Sequence, residues 1–178
     1  LDPSYPSERL ARMIEDAGLC GVVGRDGWVP SSLPSAVQAA DLVYAIFTSG
    51  STGRPKGAGV YTRGYANLLA WYLAEFGWDG SDRALVISSA SFDLTQKNFF
   101  APLLVGAELH LAPAAYDPAE LRALIGREGI TRLNCTPSAF YPILETGKSL
   151  ASLRSVFLGG EPIDPERLGA LRSRVVNS

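Results

Sequence analysis

Cysteine, histidine and methionine are all scarce in this chain of 178 residues, which holds two, one and one of them. Cys20 and Cys135 are too few and too far apart to form a disulfide framework. Each sits beside apolar residues and reads as a small buried side chain. His110 lies in the apolar run 107–112 with no second histidine and no cysteine cluster, which argues against a zinc site. Charge is balanced, 16 Lys and Arg against 18 Asp and Glu, so the formal net charge of −2 offers no footprint for nucleic acid or an anionic membrane surface. No apolar run approaches the roughly 20 residues of a membrane span. The N-terminus has no basic stretch followed by an apolar one, so nothing reads as a secretory signal. These absences predict a cytoplasmic protein with no nucleic acid and no membrane among its partners. The chain opens on Leu1-Asp2-Pro3 rather than methionine, which predicts a partial chain.

What is present is the composition of a soluble α/β domain, 47% hydrophobic and 19% charged. That is enough for one sizeable core, or for one lobe of something larger. Leu10, Met13, Ile14 and Ala17 recur at helical spacing and predict a helix over 7–19, with Ser7 as its N-cap. A short strand is expected over 20–23, a surface connection over 28–38 and a buried strand over 42–48. The segment 64–77 is an amphipathic helix closed by a glycine. From there the pattern is regular. Strands at 84–88, 107–111, 132–135, 155–158 and 174–177 alternate with helices at 94–104, 118–128, 138–146 and 164–173. Asp117-Pro118 and Asp164-Pro165 are favourable helix starts. Such alternation predicts right-handed βαβ units and a parallel sheet with helices on both faces. Ligands of such a sheet bind at the C-terminal ends of its strands. Functional residues are therefore expected just after 88, 135, 158 and 177.

The string TSGSTGRPKG at 48–57 holds three glycines, two serines, two threonines and a lysine directly after a strand. Glycines let backbone N–H groups turn toward an anion, hydroxyls add donors, and a lysine neutralises charge, all of which suits a polyphosphate. The P-loop pattern G-x-x-x-x-G-K-[ST] does not fit, because Pro55 precedes Lys56 and Gly57 follows it. No helix starts directly after the string, so helix-dipole capture is not the mechanism. By itself the string is also compatible with a surface turn between two strands.

TSGSTGRPKG resembles the phosphate-loop signature of the adenylate-forming superfamily, which includes adenylation domains, acyl-CoA synthetases and luciferases. The resemblance continues on both sides. LDPSYPSERLARMIEDA at 1–17 looks like the segment preceding that loop in the adenylation domains of nonribosomal peptide synthetases, and SFDLTQKNFFAPLLVGAEL at 91–109 looks like their next core motif. LGGEPI at 158–163 resembles the strand end that flanks the adenine, and VVNS at 175–178 resembles the opening of a segment continuing Tyr-Gly-Pro-Thr-Glu.

The resemblance implies part of the large N-terminal lobe of such an enzyme. Residues 1–62 would close a first subdomain with the phosphate loop, residues 63–178 would form a second α/β subdomain with the amino-acid pocket, and the C-terminal lobe would be absent. It implies activation of an amino acid with ATP to an aminoacyl-adenylate, followed by thioester transfer to the phosphopantetheine of a peptidyl carrier protein, as in antibiotic biosynthesis. Thr48, Ser49, Gly50, Ser51, Thr52, Gly53 and Lys56 would hold the ATP phosphates. Gly159, Gly160, Glu161 and Asn177 would flank the adenine. Asp93, Leu94, Lys97, Asn134, Phe157, Gly159 and Ser178 would line the amino-acid site. Mg2+ would be held by a glutamate beyond Ser178, the catalytic lysine belongs to the missing lobe, and the chain alone is expected to have little or no activity. Thr62 stands where the family usually has a histidine, which puts that histidine's role in doubt here.

Asp93 is a natural partner for a substrate α-ammonium group. Read from its position alone, it serves equally well as a helix N-cap. Lys97 in a pocket is costly unless it meets an anion or strong acceptor, which points to a polar substrate side chain. Pairing with Asp93 one helical turn away, or pointing to solvent, accounts for it equally simply. An acyl- or aryl-acid ligase of the same superfamily and a non-catalytic binding module remain as alternatives.

Overall fold

The computed structural model of the chain describes residues 6–9, 12, 21–24, 27–30, 41–48, 56–147, 150–169, 171 and 174–177. It divides into two compact units, Leu1–Ala70 and Trp71–Ser178. The boundary falls inside the first long helix.

In the first unit, residues 7–9 and 12 are helical; the rest of the helix expected over 7–19, and Cys20, lie outside the described residues. Strand β1 (Gly21–Gly24) pairs antiparallel with β2 (Gly27–Pro30). β2 corrects the expectation of a surface connection starting at 28. Trp28 and Val29 favour strands, and Pro30 occupies the strand end, where a missing N–H is tolerated. Residues 31–40 lie outside the described residues.

Strand β3 (Leu42–Thr48) pairs antiparallel with β4 (Lys56–Tyr61). The sequence offers no strand pattern for β4, because Gly57 and Gly59 depress its propensity. Packing leaves ordinary room at Gly57 and is tight at Gly59 only against the tip of the exposed Leu42 side chain. A Cβ on Gly59 would stand 2.9 Å from both δ-carbons of Leu42, and one on Gly57 would stand 3.4 Å from the Phe47 ring. β3 was expected to be buried, yet Leu42 and Val43 are 54% and 39% exposed. A ladder of two strands buries little of either face. Helix α1 (Thr62–Phe76) follows at once. Its first residue is anchored by two bonds to one carbonyl, with Thr62 N–H and Oγ1 donating to Asp41 O at 2.8 and 3.0 Å. Tyr65 on this helix meets Tyr44 of β3 edge to face at 5.4 Å.

The second unit is a five-stranded sheet in the order β6-β5-β7-β8-β9, from β5 (Arg83–Val86), β6 (Glu108–Leu111), β7 (Arg132–Cys135), β8 (Ser155–Leu158) and β9 (Arg174–Asn177). Every adjacent pair is parallel. The connecting helices are α2 (Asp93–Leu104), α3 (Pro118–Glu128) and α4 (Pro137–Glu145). The alternation of strand side chains sorts the two faces. Leu85, Leu133, Cys135, Val156 and Leu158 share a core with Leu121 and Ile125 of α3 and Phe140 and Ile143 of α4. On the opposite face Phe157 packs against Tyr72 and Phe76 of α1 at 5.2 and 4.8 Å. Asn134 of β7 bonds Asn98 of α2 there. The expected parallel sheet with helices on both faces is present.

Helix ends follow local chemistry. Asp117 Oδ1 accepts from Ala119 N and Glu120 N ahead of Pro118, and Gly129 closes α3 at φ 62°. Gly77 ends α1 at φ 57°. The helix expected over 164–173 is corrected, among the described residues of that span, to one short 3-10 turn, Glu166–Leu168; residues 170, 172 and 173 lie outside the described residues. Asp164 Oδ1 does accept from Glu166 N, but Gly169 follows at once and glycine propagates a helix poorly.

Candidate functional site

The C-terminal edge of the parallel sheet collects the described residues that the sequence singles out in the second unit. After β5 the chain turns through Ser89, whose Oγ accepts from Ser91 N and whose carbonyl accepts from Phe92 N. Phe92 is the N-cap of α2 and brings no capping side chain. Asp93 therefore does not cap the helix; it lies within the first turn, exposed, with Oδ1 accepting from Leu94 N at 2.7 Å. An exposed carboxylate here is free to meet a cation.

One turn on, Lys97 is half-buried. Its Nζ donates to Leu94 O at 3.2 Å and stands 5.7 Å from the centre of the Tyr72 ring. Burial lowers the ammonium pKa, and the nearby Asp93 charge partly restores it. Asn98 Nδ2 donates to the same carbonyl at 3.0 Å. A carbonyl can only accept, so this bond fixes the Asn98 amide and turns its Oδ1 toward Asn134. Asn134 Nδ2 then donates to Asn98 Oδ1 at 3.2 Å, which leaves Asn134 Oδ1 as the remaining acceptor.

That atom, Tyr72 Oη and Thr95 Oγ1 are all buried without a hydrogen-bond partner. Burial pushes the Tyr72 phenol up, while the neighbouring Asn134 amide and the Arg132 charge draw it back; the Tyr72 and Asn134 side chains are thus neighbours that fall short of a well-formed bond. Tyr72, Asn98, Asn134 and Phe157 border a void of about 10 Å³, room for about one water molecule. Phe157, only 1% exposed, is closed over by Tyr72 and Phe76. Asp93, Leu94 and Lys97 thus stand at or near the surface, while Asn134 and Phe157, register partners across β7 and β8, form a floor beneath it.

At the end of β8, Gly159 is buried and its N–H donates to Cys135 O at 3.3 Å. Gly160 takes φ 81°, a backbone setting that only glycine adopts easily. Glu161 reaches across to the start of α4, where Oε2 accepts from Ser138 N at 2.9 Å and Oε1 from Ser138 Oγ at 2.8 Å. Asn177 pairs in register with Leu158 through the main chain, and Ser178 lies outside the described residues.

In the first unit, β3 and β4 place Thr48 and Lys56 opposite each other in register. Opposed residues project from the same face of a ladder, so the threonine and the lysine, both exposed, stand together where the hairpin connection begins and ends. Ser49, Gly50, Ser51, Thr52 and Gly53 lie outside the described residues. Among the described residues no three His, Cys, Asp or Glu side chains gather to hold a metal ion.

Sequence reasoning missed Tyr72, Thr95, Asn98 and Ser138. Tyr72 falls on the stripe of α1 with Tyr65 and Leu69, so its position signals only core. Ser138 carries a signal in hindsight. It stands just after β7 in Thr136-Pro137-Ser138, a helix start at the functional edge.

A parallel sheet with helices on both faces, a glycine turn and an exposed carboxylate at its C-terminal edge defines an open α/β protein, a class whose ligands bind at that edge. The sequence pattern of the AMP-binding enzyme family matches residues 23–177, and the chain belongs to that family. It is 34% identical over 192 aligned positions to tyrocidine synthase 3 of Brevibacillus parabrevis, covering 92% of this chain and 3% of that protein. It is 40% identical to bacitracin synthase 3 of Bacillus licheniformis over 78% of its length, which is 2% of that synthase. A crystal structure of the nonribosomal peptide synthetase FmoA3 in its AMPPNP-bound form superposes with a TM-score of 0.82 at 27% identity, covering 98% of this chain and 22% of that one. The chain thus spans only a small part of the relatives it matches. Among the described residues no helix is long and apolar enough to cross a membrane.

Proposed function

We propose that this chain is the nucleotide- and amino-acid-binding part of an adenylation module in a nonribosomal peptide synthetase. The observation that carries this reading is the exposed Asp93 carboxylate in the first turn of α2, at the C-terminal edge of the sheet. A fatty or aryl acid has no cation for it to meet; an amino acid has its α-ammonium group. In the reaction, a carboxylate oxygen of the amino acid attacks the α-phosphorus of ATP. The bond from that phosphorus to the bridging oxygen breaks and pyrophosphate leaves. Asp93 orients the amino acid by its ammonium group. Lys56 and Thr48, at the mouth of the 48–57 loop, neutralise and bind the phosphates together with Ser49, Gly50, Ser51, Thr52 and Gly53. Gly159 and Gly160 present backbone to the adenine, with Glu161 and Asn177 beside them.

The substrate side chain is polar. Lys97, desolvated and short of a full counter-charge, and the unmatched Asn134 Oδ1 support this. Leu94, Phe157, Gly159 and Ser178 complete the pocket. Mg2+, held by residues outside this chain, would screen the phosphate charge. A peptidyl carrier protein would receive the acyl group on its phosphopantetheine thiol in the cytoplasm. Residues 1–62 belong with the phosphate loop and 63–178 with the pocket, and the chain alone has little activity. Thr62, bonded to Asp41 O, takes a structural place where the family's histidine stands.

The test is amino-acid-dependent ATP–pyrophosphate exchange by the whole protein across the proteinogenic amino acids, with Asp93→Ala beside it. Exchange that needs an amino acid and is lost in the variant supports the reading. Exchange that is undiminished without Asp93, or that appears only with amine-free acids, moves the chain to the acyl-ligase branch.

A further inference from the structure

The proposed adenine-flanking loop holds a glutamate whose carboxylate is committed elsewhere. Both Glu161 oxygens are spent on Ser138, one on its N–H and one on its hydroxyl, at 2.9 and 2.8 Å. The two residues lie 23 apart in sequence and on different βα connections, so this is no local cap. By contrast the side chain of Thr136, the N-cap of α4, makes a long 3.4 Å contact to Ala139 N and a 3.1 Å contact to Ser138 Oγ and does not reach Ser138 N. The free N–H of the first turn of α4 is thus answered by a carboxylate brought in from the neighbouring strand end.

Gly159 and Gly160 lie directly before that glutamate. Gly159 is tied to Cys135 O. Gly160 has left the extended conformation at φ 81°, with nothing closer to its side-chain position than Thr136 Cγ2 at 3.8 Å. The turn is held by one main-chain bond before it and by the Glu161 carboxylate after it. Glycine turns have many accessible conformations, so the far tether decides which one persists.

We infer that Glu161 is a positioning residue. Through Ser138 it braces the Gly159–Gly160 turn in the conformation that receives the nucleotide base, and it does not itself bind the base. This rests on the adenine-site reading above and deepens it. The brace acts mainly on the nucleotide, because Asp93, Leu94 and Lys97 belong to a different connection and only Gly159 of the turn also borders the proposed amino-acid pocket.

The experiment is steady-state exchange by the whole protein with Glu161→Ala, Glu161→Gln, Ser138→Ala and the double variant Glu161→Ala with Ser138→Ala. Asp117→Ala serves as a control that removes a cap of similar chemistry at the start of α3. Loss of the brace is expected to raise KM for ATP about 3- to 10-fold, with kcat little changed and the amino-acid KM raised about twofold at most through Gly159. Glu161→Gln restores KM to within about twofold, since its Oε1 can accept from Ser138 N–H and its Nε2 can donate to Ser138 Oγ. The double variant is expected to be no worse than Glu161→Ala alone. Asp117→Ala should lower Tm without moving KM for ATP. The inference is overturned if Glu161→Ala keeps the wild-type KM for ATP, if both substrates' KM values rise equally, or if Glu161→Gln behaves like Glu161→Ala. ATP binding to the same proteins, measured by equilibrium dialysis without amino acid, separates the two readings. Absence of amino-acid-dependent exchange in the wild type removes the activation reading, whereas equal ATP affinity in wild type and Glu161→Ala removes only the brace.

Discussion

The two ends of the parallel sheet are built on opposite principles. At the N-terminal end Asp82, fully buried, accepts from Arg132 Nε at 3.0 Å and Nη2 at 2.9 Å and from Thr131 Oγ1 at 2.8 Å. The same guanidinium donates to Phe76 O and Gly77 O at 3.0 Å each, closing the C-terminus of α1, and covers the Trp78 ring at 4.9 Å. Both charges are matched and most of their bonding capacity is spent. At the C-terminal end Asp93 is exposed, Lys97 is desolvated with only distant compensation, and Asn134 Oδ1 lacks a partner. A finished network stabilises, and an unfinished one is available to a ligand.

The comparison is broken most severely by Arg132→Ala. It strands a buried carboxylate and frees the end of α1, so a loss of about 3–5 kcal/mol is expected in denaturant unfolding. Arg132→Lys should recover little, since an ammonium cannot reproduce the planar fork. Burial pushes the Asp82 carboxyl up, but hydrogen bonds from Arg132, Thr131 and the Asp79 N–H outweigh it and hold its pKa below the ordinary value. A depressed acid stabilises the fold at pH above its unfolded value of about 4, and that stability is lost as pH falls through the lower folded value. Acid unfolding followed by circular dichroism should begin in that window.

At the other end Asp93→Ala should reduce amino-acid-dependent exchange roughly 10- to 100-fold, the worth of one charge-assisted bond, while Tm stays near wild type. Exchange kinetics beside a thermal melt check both halves. A smaller effect is expected for Asp93→Asn on Lys97. Removing the anion that raises its pKa should lower that pKa further, so the ammonium discharges at lower pH, as lysine side-chain NMR can report. The smallest is Asp117→Ala, an exposed cap at α3, expected to cost about 1 kcal/mol of unfolding free energy without altering exchange.

Elements whose burial follows a local period were legible in the sequence. β7, β8 and β9 stand where four-residue apolar-rich runs put them, and α3 runs from its Asp117-Pro118 start to Gly129. β4 was not legible, because Gly57 and Gly59 depress its strand propensity and only its pairing with β3 makes it a strand. The helix expected beyond Asp164 failed for a converse reason, since a good start does not guarantee continuation past Gly169. At the candidate site Asp93, Lys97 and Glu161 could be named from their motifs, but Tyr72, Asn98 and Ser138 could not. Nothing near Tyr72 in sequence distinguishes it from the core stripe it shares with Leu69.

The sequence by itself determined the parallel α/β order, the edge of the sheet where the candidate site residues lie, and the family through its glycine-rich string. Those are properties of period and of short motifs, carried within a few residues of chain. Only the tertiary structure decided what each polar atom is spent on. It showed Asp93 left exposed in the first turn of α2, the Asn98 amide turning Asn134, and Glu161 committed to a serine 23 residues away. Hydrogen-bond satisfaction is a sum over neighbours in space, and those neighbours are set by which strands lie side by side.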